Sequence, residues 1–185
     1  MNDRIDDGIG TYDVVLLVEH ELSAADAAQV HSLHEDIADQ VVYHVILPLE
    51  DAAARIESSM GTLAGGEVLA APMAVTDEEI AAARRECLDR ANEELKDTIA
   101  HLESTGAVVR GNLTSDSPVD TLAAKVTEVD AREAIVLTSP HVVSEFFHVD
   151  WTSRARRKLG VPVLHLLEHE SFDEQAGGGE GVSGV

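Results

Sequence analysis

Five short runs of apolar residues set the terms for how this chain folds. They are Tyr12–Val18 (YDVVLLV), Val41–Pro48 (VVYHVILP), Ala107–Leu113 (AVVRGNL), Ala134–Thr138 (AIVLT) and Val161–Leu167 (VPVLHLL). Within most of them apolar residues follow one another instead of alternating with polar ones. A strand with one face in water alternates; a strand buried on both faces does not. The runs therefore predict the strands of a parallel sheet covered on both sides. Parallel neighbours need long crossovers, and the segments between the runs have the right length and period for helices.

Helix signals fill those segments. Ser23-Ala-Ala-Asp26 resembles a capping box with Asp in place of Glu, and Val30, Leu33 and Ile37 follow at helical spacing. Thr76-Asp-Glu-Glu79 is a full capping box opening the longest helix, whose stripe is Ile80, Cys87, Ala91, Leu95, Ile99 and Leu102, with Gly106 just past its end. Ser117-Pro118 starts a third helix with Val119, Leu122, Ala123 and Val126 on its buried face. A further helix runs to about Leu159 and stops at Gly160. The stretch from Leu49 to Val75 is expected to hold a short helix around residues 50–58. Beyond it, Gly61, Gly65, Gly66 and Pro72 read as a connection. Residues 1–11 are expected to form a flexible lead, 12–168 one α/β domain and 169–185 a glycine-rich, disordered tail.

The charge narrows the partners. The 35 acidic and 13 basic residues give a net charge of −22, so duplex nucleic acid and anionic membrane are expected to be repelled. No apolar run reaches the roughly 18 residues of a membrane helix, and MNDRIDDGIG lacks a signal-peptide core, so a cytoplasmic location is expected. Aromatic residues make up only 3% of the chain, leaving the core to Ala, Val, Leu and Ile. The single cysteine, Cys87, sits in a helical apolar stripe and reads as a buried hydrophobe.

In sheets of this kind ligands sit beyond the carboxyl ends of the strands. The loops concerned are Glu19–Ser23, Leu113–Ser117 and Ser139–Ser144. Several clusters near them suggest chemistry, but each has a plainer reading. His31 and His34 share a helix face, yet HSLHE is not the order of a zinc protease, and a solvated or packing role is expected. Nothing in the spacing brings His141, His148 and His165 together, so no metal is expected. Ser139, His141 and Asp116 or Asp150 have the residue types of a triad without a G-x-S-x-G elbow, so no catalytic residue is assigned. Arg154, Arg156, Arg157 and Lys158 read as cations at a helix C-terminus paired with surplus carboxylates; an anion site is the alternative. Phe146, Phe147 and Trp151 plug a cleft, anchor an interface or fill the core.

Over residues 12–168 the chain resembles the universal stress protein family. The resemblance rests on the long helix from Asp77, the Ser117-Pro118 start, the run Ala134–Thr138 and above all the closing Gly160-Val-Pro-Val-Leu164. It implies an open five-stranded parallel sheet sandwiched by helices, of the adenine nucleotide alpha hydrolase-like type. It also implies a candidate ligand cleft at Glu19, Thr138, Ser139, His141 and Ser144, with Glu19 where the family usually has Asp.

ATP-binding members carry Gly-x-x-Gly, then Gly-Ser or Gly-Thr, after the fourth strand. No glycine lies between Gly111 and Gly160 here; Ser139-Pro140-His141-Val142-Val143-Ser144 and Val149-Asp150 stand at those places. Glycine lets backbone amides approach a phosphate. Valine resists left-handed angles, Pro140 has no amide to donate, and Asp150 adds a repelling carboxylate.

The chain is therefore expected to bind no ATP and no other cofactor. It is expected to be no enzyme, but to act as a stress-response module through protein contacts. The resemblance implies a homodimer paired through the edge strand Val161–Leu167. A sensor of a small anionic or polar metabolite at the altered site is the alternative, and an enzyme of unknown reaction a second one.

Overall fold

The computed structural model describes residues 10–49, 76–138 and 158–169. Among these residues five strands and three helices follow in order: β1 (Thr11–Val18), α1 (Ala24–Ser32), β2 (Gln40–Pro48), α2 (Asp77–Glu103), β3 (Val108–Thr114), α3 (Pro118–Val129), β4 (Glu133–Thr138) and β5 (Val163–Leu167). They build one all-parallel sheet in the order β3-β2-β1-β4-β5, the expected α/β architecture. β1 is central, with Val14 opposite both Tyr43 and Glu133.

The strands behave as unbroken apolar runs should. Successive side chains point to opposite faces, and both faces of β1 are buried. Val14, Leu16 and Val18 join Tyr43, Val45 and Leu47 under α1 and α2, packed with Val30, Ala91, Leu95 and Leu102. Val15 and Leu17 join Ile46, Ala134 and Val136 on the other face, packed with Leu122 and Val126 of α3 and with Leu159. Gly111 allows α2 to lie close on β3: a Cβ there would stand 2.7 Å from Ile99 Cδ1 and 2.8 Å from Leu95 Cδ1.

The predicted caps form, with one instructive departure. The Thr76 and Glu79 backbone amides bond reciprocally to the Glu79 carboxylate at 2.8 Å and the Thr76 hydroxyl at 3.3 Å. Those bonds hold the Glu79 carboxyl below its ordinary value. Ser23 accepts from the Asp26 amide at 3.1 Å, but the shorter Asp26 carboxylate turns to the Ser23 hydroxyl and to the His169 amide. α1 also ends earlier than its apolar spacing implies: the helix stops at Ser32, Leu33 is 37% exposed and Ile37 lies past the last turn. Cys87 is buried, as are the stripe positions Ala91, Leu95 and Leu102.

β5 begins at Val163, two residues later than the apolar run. Pro162 has no amide to add to the ladder, although its carbonyl accepts from the Ala134 amide at 2.9 Å. The expected helix near residues 50–58, most of the helix before Gly160, the ends 1–9 and 170–185, and the aromatic group Phe146, Phe147 and Trp151 lie outside the described residues.

Candidate functional site

The carboxyl ends of β1, β4 and β5 meet at one edge, and two of the five expected cleft residues are described there. The Glu19 amide donates to the Leu137 carbonyl at 3.3 Å, carrying the β1–β4 pairing one residue past β1. Its carboxylate stands 3.7 Å from His20 Nε2 and is about a quarter exposed. Thr138 closes β4, and its hydroxyl lies 2.8 Å from His165 Nε2 on β5. Burial holds the His165 imidazole below its ordinary value of 6.5, so the ring is neutral at pH 7. The Glu168 amide donates to the Thr138 carbonyl at 3.0 Å. Ser139, His141 and Ser144 lie outside the described residues.

The loop carrying Glu19 is pinned from above by α2. The Leu22 amide donates to the Thr98 hydroxyl at 2.9 Å, and His101 Nδ1 donates to the Leu22 carbonyl at 2.7 Å. Leu22 and Thr98 are both buried, so the two bonds replace hydration that the loop has lost. Neither residue stands out in the sequence, because a Thr on a helix face carries no sign of the amide it will meet.

Asp26, read from the sequence as a cap residue alone, has a second and longer-range partner. Its carboxylate is 3% exposed and ties α1 to the end of β5: Oδ1 accepts from the His169 amide at 3.0 Å, and His169 Nδ1 lies 3.3 Å from Oδ2. His169 takes the left-handed angle φ 62°, uncommon for a residue with a side chain, at the place where the Asp26 contact holds it. The available sign was Asp standing where a capping box wants Glu.

At the Leu113–Ser117 loop, Thr114 is the organising residue. Its hydroxyl accepts from the Asp116 amide at 3.1 Å and bonds Thr121 at 3.0 Å, while its carbonyl accepts from the Leu49 amide at 2.7 Å. In the basic cluster, Lys158 forms an ion pair with Asp120, and that contact holds the Asp120 carboxyl below its ordinary range. Arg154, Arg156 and Arg157 lie outside the described residues. Among the described residues no three His, Cys, Asp or Glu side chains stand where they could share a metal ion. None of the described helices is long and apolar enough to cross a membrane.

This edge therefore carries the Thr138 hydroxyl, the neutral His165 imidazole and the partly exposed Glu19 carboxylate at the ends of neighbouring strands. It is equipped for hydrogen bonding to a polar group.

No family model and no curated protein matches the chain. Solved structures do. The hypothetical protein MJ0577, described as the subject of a structure-based assignment of biochemical function, matches at TM-score 0.54 and 12% identity, over 86% of this chain and 99% of that one. A universal stress protein from Archaeoglobus fulgidus matches at TM-score 0.49 and 18% identity, over 85% of this chain and 93% of that one. A universal stress protein family protein from Arabidopsis thaliana, solved with AMP bound, matches at TM-score 0.48 and 10% identity, over 85% and 92%. The chain shares the fold of MJ0577, and at that identity the fold is all that the likeness establishes.

Proposed function

We propose that this chain is a cytoplasmic stress-response module that uses the universal stress protein scaffold for protein contact and not for ATP binding or catalysis. The observation that carries the reading is the place of β5 at one end of the sheet order. Its sequence, VLHLL, is apolar enough to need cover, and a second copy adding its own strand would supply it. The pairing segment is Val161–Leu167, and the assembly is a homodimer. Against nucleotide triphosphates stand the missing glycines between Gly111 and Gly160 and the Pro140, Val142, Val143 and Asp150 that occupy that stretch. Light scattering after size exclusion tests the reading: a dimer at micromolar concentration supports it, and a monomer that persists to high concentration removes it.

A second reading rests on the Thr138–His165 pair at 2.8 Å. A fixed hydroxyl and a neutral ring suit a small polar or anionic metabolite bound with Glu19, Ser139, His141 and Ser144. A thermal-shift series with inorganic phosphate, nucleotides and common metabolites separates the two: a shift with a small metabolite alone supports the sensor, and no shift with any removes it.

A further inference from the structure

The chain has two tyrosines, and both rings lie against one buried histidine at the amino half of the sheet. Tyr12 on β1 has its ring centroid 5.9 Å from that of His34, and Tyr43 on β2 stands at 5.5 Å. Tyr43 is fully buried, whereas Tyr12 is partly exposed. Tyr12 pairs with Val41 and Val14 with Tyr43, so the two tyrosines are diagonal neighbours on one face of the sheet. The Tyr43 hydroxyl lies 2.7 Å from His34 Nδ1, and His34 Nε2 meets the Glu133 carboxylate at the start of β4.

Those contacts set the direction of each hydrogen bond. With the ring's proton on Nε2, the N–H donates to Glu133 and the Nδ1 lone pair accepts from the Tyr43 hydroxyl. The opposite tautomer would turn the Nε2 lone pair on the carboxylate. The Val30 carbonyl, 3.4 Å from the same hydroxyl, is the weaker of its two acceptors. Tyr43, His34 and Glu133 thus form a relay from phenol to imidazole to carboxylate. Burial and, second, the Glu133 charge raise both phenols above their ordinary value, with Arg132 offsetting part of the shift at Tyr12, so neither ionises in the resting protein. A neutral phenol that loses an electron becomes a strong acid, and the loss is eased where a base already holds its hydrogen. His34 Nδ1 is such a base. The imidazolium that forms is stabilised by Glu133 at Nε2 and by the Val30 carbonyl 3.1 Å from Nδ1. Val30 lies in the last turn of α1, whose negative end favours the same charge.

We propose that Tyr43 is a one-electron redox site, giving an electron to an outer-sphere one-electron oxidant at the protein surface while its proton passes to His34. The O–H bond of Tyr43 breaks and an N–H bond forms at His34 Nδ1. The oxidant is reduced by one electron, and Tyr43 is left as a neutral phenoxyl radical. Full burial keeps that radical from direct contact with solvent and solutes.

The test oxidises the full chain with photogenerated ruthenium(III) tris-bipyridine, a cation drawn to a protein of net charge −22. The frozen product is read by electron–nuclear double resonance. The unaltered protein is expected to show a tyrosyl radical coupled to one exchangeable proton, the former phenol proton now on Nδ1. A tyrosyl signal without that coupling, or no tyrosyl signal, would overturn the proposal without any variant. Tyr12→Phe should keep the signal and Tyr43→Phe should remove it; the reverse pattern would put the radical on Tyr12 and sink the assignment. Glu133→Gln keeps the shape of the carboxylate without its charge. It should slow radical formation at least about threefold, which is half, on a logarithmic scale, of an about tenfold loss of proton affinity at His34. An equal rate would contradict the relay.

Discussion

Replacing Thr98 by valine tests how the candidate cleft is held. The two side chains have nearly the same shape, but valine offers nothing to the Leu22 amide, which Thr98 now accepts at 2.9 Å. Thr98 is fully buried and Leu22 nearly so, so water cannot replace the bond without opening the structure. An unsatisfied buried amide costs about 1–3 kcal/mol. At the scale of a chain this long, that lowers the melting temperature by about 2–12 °C. Thr98→Ser keeps the acceptor and gives up one methyl group, for about 1 kcal/mol. Urea unfolding followed by circular dichroism gives both values, provided the slope against denaturant stays constant. The expected order is wild type, then serine, then valine. If valine matched wild type, the pinning of the Glu19 loop by α2 would be wrong. Hydrogen exchange adds a local readout: the Leu22 amide should exchange faster in Thr98→Val than in Thr98→Ser.

Three further outcomes follow from the packing and the buried ring. Gly111→Val drives a branched side chain into Leu95 and Ile99, which a Cβ alone already approaches to under 3 Å, and should cost about 1–3 kcal/mol in chemical unfolding. His165 is held neutral by burial, so the unfolded chain takes up its proton first as pH falls below 6.5. That part of the stability is whole above 6.5 and is lost as pH drops toward the lower folded value, and His165→Gln should make the acid limb of the melting curve shallower. Cys87 should react with a thiol reagent only at the rate of unfolding, because the native side chain is buried.

Much of this architecture was legible because continuous apolar runs admit few alternatives. YDVVLLV and VVYHVILP predict strands buried on both faces, and they pair as β1 and β2 at the middle of the sheet. Thr76 and Glu79 predict their own cap from local chemistry, and local chemistry is what forms it. Leu33 shows the limit of period alone. Its spacing fits the helix, yet the chain turns at Ser32 and leaves it exposed, because His34 is drawn into the sheet by Tyr43 and Glu133. The cleft was less legible for the same reason. Glu19 and Thr138 could be placed from the strand ends on which they stand. Thr98, His101 and Asp26 act on partners 76, 79 and 143 positions away, and no short-range pattern encodes such contacts.

The measurement that bears most directly on the proposed use of this scaffold is a calorimetric titration of the full chain with magnesium ATP. The absence of glycine between Gly111 and Gly160 predicts no binding heat up to millimolar nucleotide. Saturable binding at micromolar ATP would contradict it.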